Sequence, residues 1–364
     1  ETIHDHAAIE IQRGCSRGCR FCQASTLYRP VRERTHLEVT EAIGQLVKNT
    51  GYSEVALVSL STGDYPDITG LLRKLLDKYQ QDVRFSLPSL RMDARSVRLL
   101  DMLPSRRKMT LTFAPEAGTE RLRNAINKPL SNATIDEAVS AAAEKQGANL
   151  KLYFMIGLPT ETLDDVRGIV DLAGRLGRLQ RQISGRPPRL KISVSTFVPK
   201  PHTPCQWQGQ EDKLSLDQKR ALLGDGLRRT GASFSWHDPE VSFLEAVLSR
   251  GDRRQGKAIL AAWRSGCRFD GWREYFQNGR WMEAFSASGL DPAGYAYRSI
   301  DPEARLPWGH INVGVSREFL TREHDRIQKE ETTPDCRTSP CHACGLERWP
   351  EGCQDTLKSK GAAV

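Results

Sequence analysis

Between residues 7 and 197, short apolar runs alternate six times with amphipathic segments, and this alternation constrains the fold more than any other feature of the chain. The apolar runs lie at 7–11, 55–59, 83–87, 109–113, 150–156 and 190–197. Helical periodicity falls between them, at 37–47, over Ile68, Leu71, Leu72, Leu75 and Leu76, and at 96–103, 135–146 and 162–179. Strands joined by helical crossovers make a parallel sheet with right-handed connections, and six repeats fill part of the closed eight-fold barrel. The fold class expected is therefore α/β, with a partial (β/α)6 TIM-like barrel over residues 1–205. Loops leaving the C-terminal strand ends are where its chemistry should sit.

From about residue 206 the alternation gives way to a Trp-bearing, Gly- and Pro-punctuated stretch, expected to form a smaller, mainly α-helical module over 206–328. Residues 329–364 read as a short, polar, cysteine-bearing tail. With 364 residues, 38% hydrophobic and 27% charged, the chain buries a full core, which excludes a disordered or collagen-like protein. No run approaches eighteen apolar residues, and residues 1–10 are charged where a signal peptide would be apolar. These features predict a cytoplasmic protein with no membrane partner. The start at Glu1 is expected of a processed form or a piece of a longer polypeptide.

The nine cysteines are unevenly placed: Cys15, Cys19 and Cys22 at one end, Cys336, Cys341, Cys344 and Cys353 at the other, Cys205 and Cys267 alone between them. In a chain without an export signal such groups suggest metal ligation over disulfides. In Cys15-Ser-Arg-Gly-Cys19-Arg-Phe-Cys22 the x3 and x2 spacings let one tight loop wrap an iron–sulfur cube, leaving one iron open. Gly14 and Gly18 allow the close turn, Arg13, Arg17 and Arg20 can offset the cluster charge, and Phe21 can shield it from water. A zinc loop, with His36 as the nearest later ligand, is the alternative.

A Cys-x3-Cys-x2-Cys with an aromatic before the last cysteine, set just after the first strand, resembles the radical S-adenosylmethionine superfamily. The resemblance extends over about residues 5–205. Ser61-Thr62-Gly63-Asp64 resembles the family loop that receives the methionyl amino group. Phe113-Ala114-Pro115-Glu116-Ala117-Gly118 with Arg121 and Arg123 resembles the strand-four motif that reaches ribose and carboxylate. Gly157-Leu158-Pro159-Thr160-Glu161-Thr162 resembles the turn beside adenine, and Pro199-Lys200-Pro201-His202-Thr203-Pro204 the strand-six segment, with His202 where the family has Gly. Taken singly, each has a structural reading as a turn, an N-cap or a surface acid.

The resemblance implies an enzyme whose 4Fe–4S cluster, on Cys15, Cys19 and Cys22, binds S-adenosylmethionine. The cluster would cleave it reductively to a 5′-deoxyadenosyl radical that abstracts hydrogen from an unknown substrate. Phe21, Ser61, Thr62, Gly63, Asp64, Glu116, Arg121, Gly157, Pro159 and Pro199 are the residues it assigns to the cofactor. It also implies an electron donor such as flavodoxin or ferredoxin. A closer resemblance is to radical enzymes that carry a cobalamin-binding domain ahead of the barrel, through Tyr28-Arg29-Pro30-Val31-Arg32-Glu33-Arg34 and Trp236-His237-Asp238-Pro239-Glu240. No such domain precedes Glu1 here, so cobalamin would have to come from a domain absent from this chain.

Cys336-x4-Cys341-x2-Cys344 with Cys353 is a second ligand-grade group, suited to a ferredoxin-like cluster or a zinc knuckle, with free thiols as the alternative. Glu347 stands where the related enzymes would place a fourth cysteine. Arg268-Phe269-Asp270-Gly271-Trp272 and Trp236-His237-Asp238 form either a substrate-facing wall or core and caps. Lys plus Arg exceeds Asp plus Glu, 53 to 45, and no acid lies between Leu172 and Gln210, where Arg175, Arg178 and Arg181 recur at three-residue spacing. That stretch is a solvated helix face or a nucleic-acid contact. Two further functions remain open: a radical methyl- or methylthiotransferase acting on RNA, against which stand the absence of a recognisable RNA-binding appendage and of the auxiliary N-terminal cysteines of methylthiotransferases, and a non-catalytic zinc-binding scaffold.

Overall fold

The computed structural model describes residues 5–80, 82–103, 110–144 and 149–348. Seven parallel strands run through it: β1 (Ala7–Glu10), β2 (Glu54–Val58), β3 (Arg84–Ser86), β4 (Thr110–Glu116), β5 (Asn149–Ile156), β6 (Leu190–Thr196) and β7 (Ser233–Trp236). They pair in chain order within two sheets, β1-β2-β3 and β4-β5-β6-β7, every pair parallel. Helices α1 (His36–Thr50), α2 (Ile68–Tyr79), α3 (Ala94–Asp101), α4 (Asn132–Ala143) and α5 (Leu163–Ser184) form the crossovers of the first six. This is the partial TIM-like barrel that the alternation predicts.

The local chemistry that starts and stops these helices is conventional. Thr35 and Glu38 form a reciprocal capping box ahead of α1, and Gly51 closes it in the left-handed conformation. Thr162 and Asp165 do the same at the start of α5, so the Pro159-Thr160-Glu161-Thr162 segment is a helix entry as well as a strand-end turn. One core lies under the first sheet, with Ile43, Val55, Leu57, Ile68, Leu71 and Leu72 fully buried. A larger one joins Phe113, Leu152, Phe154 and Ile192 to the inner faces of α4 and α5.

The alternation does not end at residue 206. Helix α6 (Lys213–Thr230) packs beside α5 and leads to β7, which extends the sheet next to β6. The run Ser233-Phe234-Ser235-Trp236 is too short to stand out by period, yet its parallel registry with 191–194 makes a seventh repeat. Helices α7 (Pro239–Arg250), α8 (Gln255–Arg264) and α9 (Asn278–Ala287) then build a separate core around Leu244, Val247, Ala258, Ala262, Trp281 and Phe285. Helix α10 (Arg317–Gln328) returns the chain to the barrel.

The end of the described chain is packed. Cys344 and Leu346 are buried against Trp207, Phe319 and Leu320, and the carbonyl of Cys344 accepts from Ser316 N–H at 2.7 Å. Composition does not display this packing because its anchors are distant in sequence. Cys353 and residue 109 of the fourth apolar run lie outside the described residues.

Candidate active site

The cysteine loop opens directly after β1, and a two-residue antiparallel ladder, Gln12–Arg13 against Arg32–Glu33, closes its base. Gly14 has φ +87, and a Cβ there would meet the carbonyl oxygens of Tyr28 and Pro30 at 2.2 and 2.8 Å, so only glycine fits this close approach. Gly18 has φ +68, and Asn127 Nδ2 donates to the carbonyls of Arg17 and Gly18 at 3.0 and 3.1 Å. Asn127, itself at φ +53, thereby holds the turn between the first two cysteines from the far sheet.

Cys15, Cys19 and Cys22 are all partly open, and their thiols lie close enough to influence one another's ionisation. Burial pushes the Cys19 thiol up to about 12, with Lys128 nearby pulling the other way. Burial also raises the Cys15 thiol, against a hydrogen bond from the Arg17 N–H. Such thiols ionise when a metal takes the charge. Among the described residues no three His, Cys, Asp or Glu groups gather about a single metal ion. His36 stacks on Tyr65 at 5.9 Å. Three thiols in a glycine-turned loop that do not gather about a single metal ion suit a 4Fe–4S cluster better than mononuclear zinc.

The loop arginines do not act as a set. Arg13 is exposed and pairs with Glu10, Arg17 pairs with Asp64, and Arg20 is fully buried and turned away into the tail. Phe21 packs at the barrel mouth with Ala117, Leu122, Leu158 and Phe197 instead of standing free.

The strand-end loops meet the cysteine loop. Asp64 accepts from Arg17 Nε at 2.9 Å and Ser61 Oγ at 2.7 Å, and these partners hold its carboxyl below the usual range despite burial. Thr62 is fully buried, its hydroxyl donating to the Pro88 carbonyl at 2.6 Å, with Gly63 inside the same turn. Through Asp64, this turn braces the cysteine loop. At the end of β4, Glu116 takes φ +71 and pairs with Lys128 at 2.7 Å, both beside Cys19.

Arg121 differs from the role the resemblance implies. Its guanidinium is spent on the Thr160 carbonyl, Asp165 and Glu330, tying the short helix Glu120–Ala125 to α5 and the tail. Arg123 is fully buried on the carbonyls of Ala117, Gly118 and Leu130 and on Asn132. After β5, Gly157 has φ +81 and donates its N–H to Glu161, whose buried carboxylate pairs with Lys219 of α6 at 2.7 Å. Pro159 is buried in that turn, and Pro199 is buried after β6. His202 lies at φ +58, which accounts for the glycine that its counterpart carries in the family pattern.

The element that the sequence hides is the tail over the cysteine loop. Arg20 Nε donates to Glu323 of α10 at 3.1 Å, Nη1 to the carbonyls of Ala125 and Glu331 at 2.8 and 2.7 Å, and Nη2 to Thr333 Oγ1 at 3.1 Å. Thr333 N–H donates to Asn127 Oδ1 at 2.8 Å, so Asn127 joins tail and cysteine loop at once. Asp335 is shared by Arg337 and Arg17, and hydrogen bonds from Arg337, with Ser16 beside it, hold its carboxyl at about 2 against its burial. Arg337 also reaches the Asp64 carbonyl. A narrow crevice between loop and tail is lined by Cys19, Arg29, Phe319, Glu323 and His342.

Of the tail cysteines, Cys336 is half-buried, Cys341 exposed and Cys344 buried, and they do not converge on a metal position among the described residues. His342 Nε2 is hydrogen-bonded with Ser339 at 3.1 Å, and Glu347 accepts from Gly345 N–H, closing the turn where a fourth cysteine was expected. Trp236 packs with Phe234 and Arg220, whereas Phe269 and Trp272 are exposed, so the two aromatic stretches do not form one wall.

Residues 9–173 match the Radical SAM superfamily. An uncharacterized protein of Methanocaldococcus jannaschii is 34% identical over 251 residues, 69% of this chain and 53% of that one. The threonylcarbamoyladenosine tRNA methylthiotransferase MtaB of Treponema pallidum is 28% identical over 172 residues, 45% of this chain and 35% of its own. Among solved structures, the radical S-adenosylmethionine methyltransferase TsrM of Kitasatospora setae, with cobalamin and a 4Fe–4S cluster bound, aligns with a TM-score of 0.42 at 16% identity over 56% of this chain and 38% of TsrM. The chain spans about half or less of the length of these curated relatives.

Proposed function

We propose, from the premise that this chain belongs to the radical S-adenosylmethionine superfamily, that it is the catalytic part of an enzyme that cleaves S-adenosylmethionine reductively to abstract hydrogen from its substrate. The observation that carries this is the assembly of Cys15, Cys19 and Cys22 in one loop that strand-end and tail residues brace from both sides. Those three thiols would hold the 4Fe–4S cluster, which supplies one electron to the sulfonium of S-adenosylmethionine. Around them the protein's own task is positioning. Asp64 and Asn127 fix the loop, Glu116 and Lys128 place a charge pair beside Cys19, and Phe21 with Leu158 and Phe197 keeps the mouth dry. Ser61, Thr62, Gly63, Gly157, Pro159 and Pro199 stay assigned to cofactor contacts, and Arg121 is reassigned to bracing.

No helix among the described residues is long and apolar enough to cross a membrane. A small soluble electron carrier such as flavodoxin or ferredoxin, in the cytoplasm, suits the half-open thiols. The narrower reading, methyl or methylthio transfer to RNA, draws support from the similarity to a tRNA methylthiotransferase. Anaerobic purification should give about four irons per cysteine loop, abolished by Cys19→Ala. Dithionite with S-adenosylmethionine should release 5′-deoxyadenosine. Iron-free protein carrying zinc alone would overturn the proposal in favour of a scaffold. Transfer of labelled methyl to total RNA decides the narrower reading.

A further inference from the structure

Helix α8 buries its alanine face, Ala258 and Ala262, and turns Ile259, Leu260 and Trp263 outward, each about half exposed. The loop that follows keeps the same outward habit. Phe269 is 73% exposed, Trp272 48% and Tyr275 53%, whereas large rings ordinarily bury most of their surface. Each of three rings has an exposed arginine as its chain neighbour: Trp263 with Arg264, Phe269 with Arg268, and Trp272 with Arg273. The Arg268 guanidinium lies over the Trp263 ring at 4.4 Å, and Phe269 and Tyr275 sit ring to ring at 6.0 Å. Over residues 259–280 four arginines face two acids, Asp270 and Glu274. Phe269 holds φ +55, an uncommon conformation for an aromatic residue, and with it the ring is kept in solvent.

We propose that this surface is a docking platform for single-stranded RNA. Exposed rings interleaved with guanidinium groups suit a single strand, whose bases stack on aromatic faces while its phosphates meet cations. A duplex keeps its base faces covered and offers the rings nothing to stack on. The choice of RNA over DNA rests on the RNA-directed reading above. The platform itself owes nothing to the cysteine loop.

The test is binding of a fluorescent twenty-nucleotide uridine RNA to the anaerobically purified protein, beside the matching thymidine DNA and a duplex RNA. Stacking contributes about 1–3 kcal/mol per base, so Phe269→Ala and Trp272→Ala should each weaken RNA binding by roughly 5- to 100-fold, with iron content unchanged. Arg178→Glu on the remote face of α5 should leave it within about twofold. The proposal is overturned if the duplex or the DNA binds tenfold more tightly, or if Arg178→Glu matters as much as the ring variants. It is equally overturned if the ring variants change the oligomeric state and not RNA affinity, which would mark a protein-docking face. Release of 5′-deoxyadenosine is a separate readout, so failure here leaves the radical chemistry standing, and the converse holds.

Discussion

Arg20 and Glu323 are 303 residues apart and form a buried ion pair, with side-chain exposures of 0% and 3%. Removing one partner of such a pair strands the other charge in a poorly solvated place, at about 3–5 kcal/mol. Glu323→Gln keeps the shape and an acceptor for Nε, and Arg326 at its other oxygen is solvent-accessible, so a cost near the lower limit, about 3 kcal/mol, is expected. Arg20→Met leaves the carboxylate with Arg326 and Thr333 as its partners but takes donors from the buried Ala125 and Glu331 carbonyls, so about 5 kcal/mol is expected. In the double variant no charge is stranded, but the carbonyls still lack donors, so the total should stay near 5 kcal/mol and not reach the sum of about 8. Urea unfolding of the four proteins measures this coupling. Because Arg20 lies between Cys19 and Cys22, iron retention under a chelator should fall in Glu323→Gln as well. Additive single costs, or a Glu323→Gln change below about 1 kcal/mol, would refute the claim that loop and tail are joined through this pair.

Gly14→Ala forces a Cβ to within 2.2 Å of the Tyr28 carbonyl at a φ suited to glycine, so the protein should bind less than half of the wild-type iron on anaerobic reconstitution. Asp64→Asn removes the anchor of Arg17; a charge-assisted bond contributes about 1.5–3 kcal/mol, so urea unfolding should show a stability loss of that size. Lys219→Met leaves the Glu161 carboxylate buried without its cation and should cost about 3–5 kcal/mol of stability, read by urea unfolding. Asp165 is held below its ordinary pKa by hydrogen bonds from Thr119, Arg121 and Thr162 against its burial. Its contribution is therefore full above about pH 4, its unfolded range, and lost as pH falls through the depressed folded value. Asp165→Asn should flatten the acid limb of a stability profile between pH 5 and 2.

The barrel was legible because each strand and helix carries its own period. Residues 55–59 and 150–156 pair where their apolar runs begin, and Ile68 through Leu76 bury one face as spaced. The cysteine loop stands out in the sequence because three cysteines lie within eight residues. β7 was not, since four residues beside Gly231 offer no period, and its place follows from sheet pairing. Asn127, Thr333 and Asp335 were equally hidden: each works through partners more than 100 residues away or by a bond to backbone, which composition does not display. Arg121 misled for the converse reason. Its position after the Glu116 motif suits a ligand contact, and Asp165 and Glu330 have already taken it.

Folding and cluster assembly are linked by this arrangement. The cysteine loop has few buried apolar side chains of its own, and Arg20 within it is a charge that burial disfavours until Ala125, Glu323, Glu331 and Thr333 surround it. The tail in turn has Cys344 and Leu346 as its buried apolar anchors, too little to order twenty residues against their entropy. Each segment supplies what the other lacks: the loop gives the tail a charged socket, and the tail gives the loop a fixed back wall. Burial raises the thiols of Cys15 and Cys19, which therefore ionise as a metal takes the charge, in a loop whose back wall the tail sets. On this argument a chain ending at Gln328 would lose the back wall of the cysteine loop while keeping the barrel.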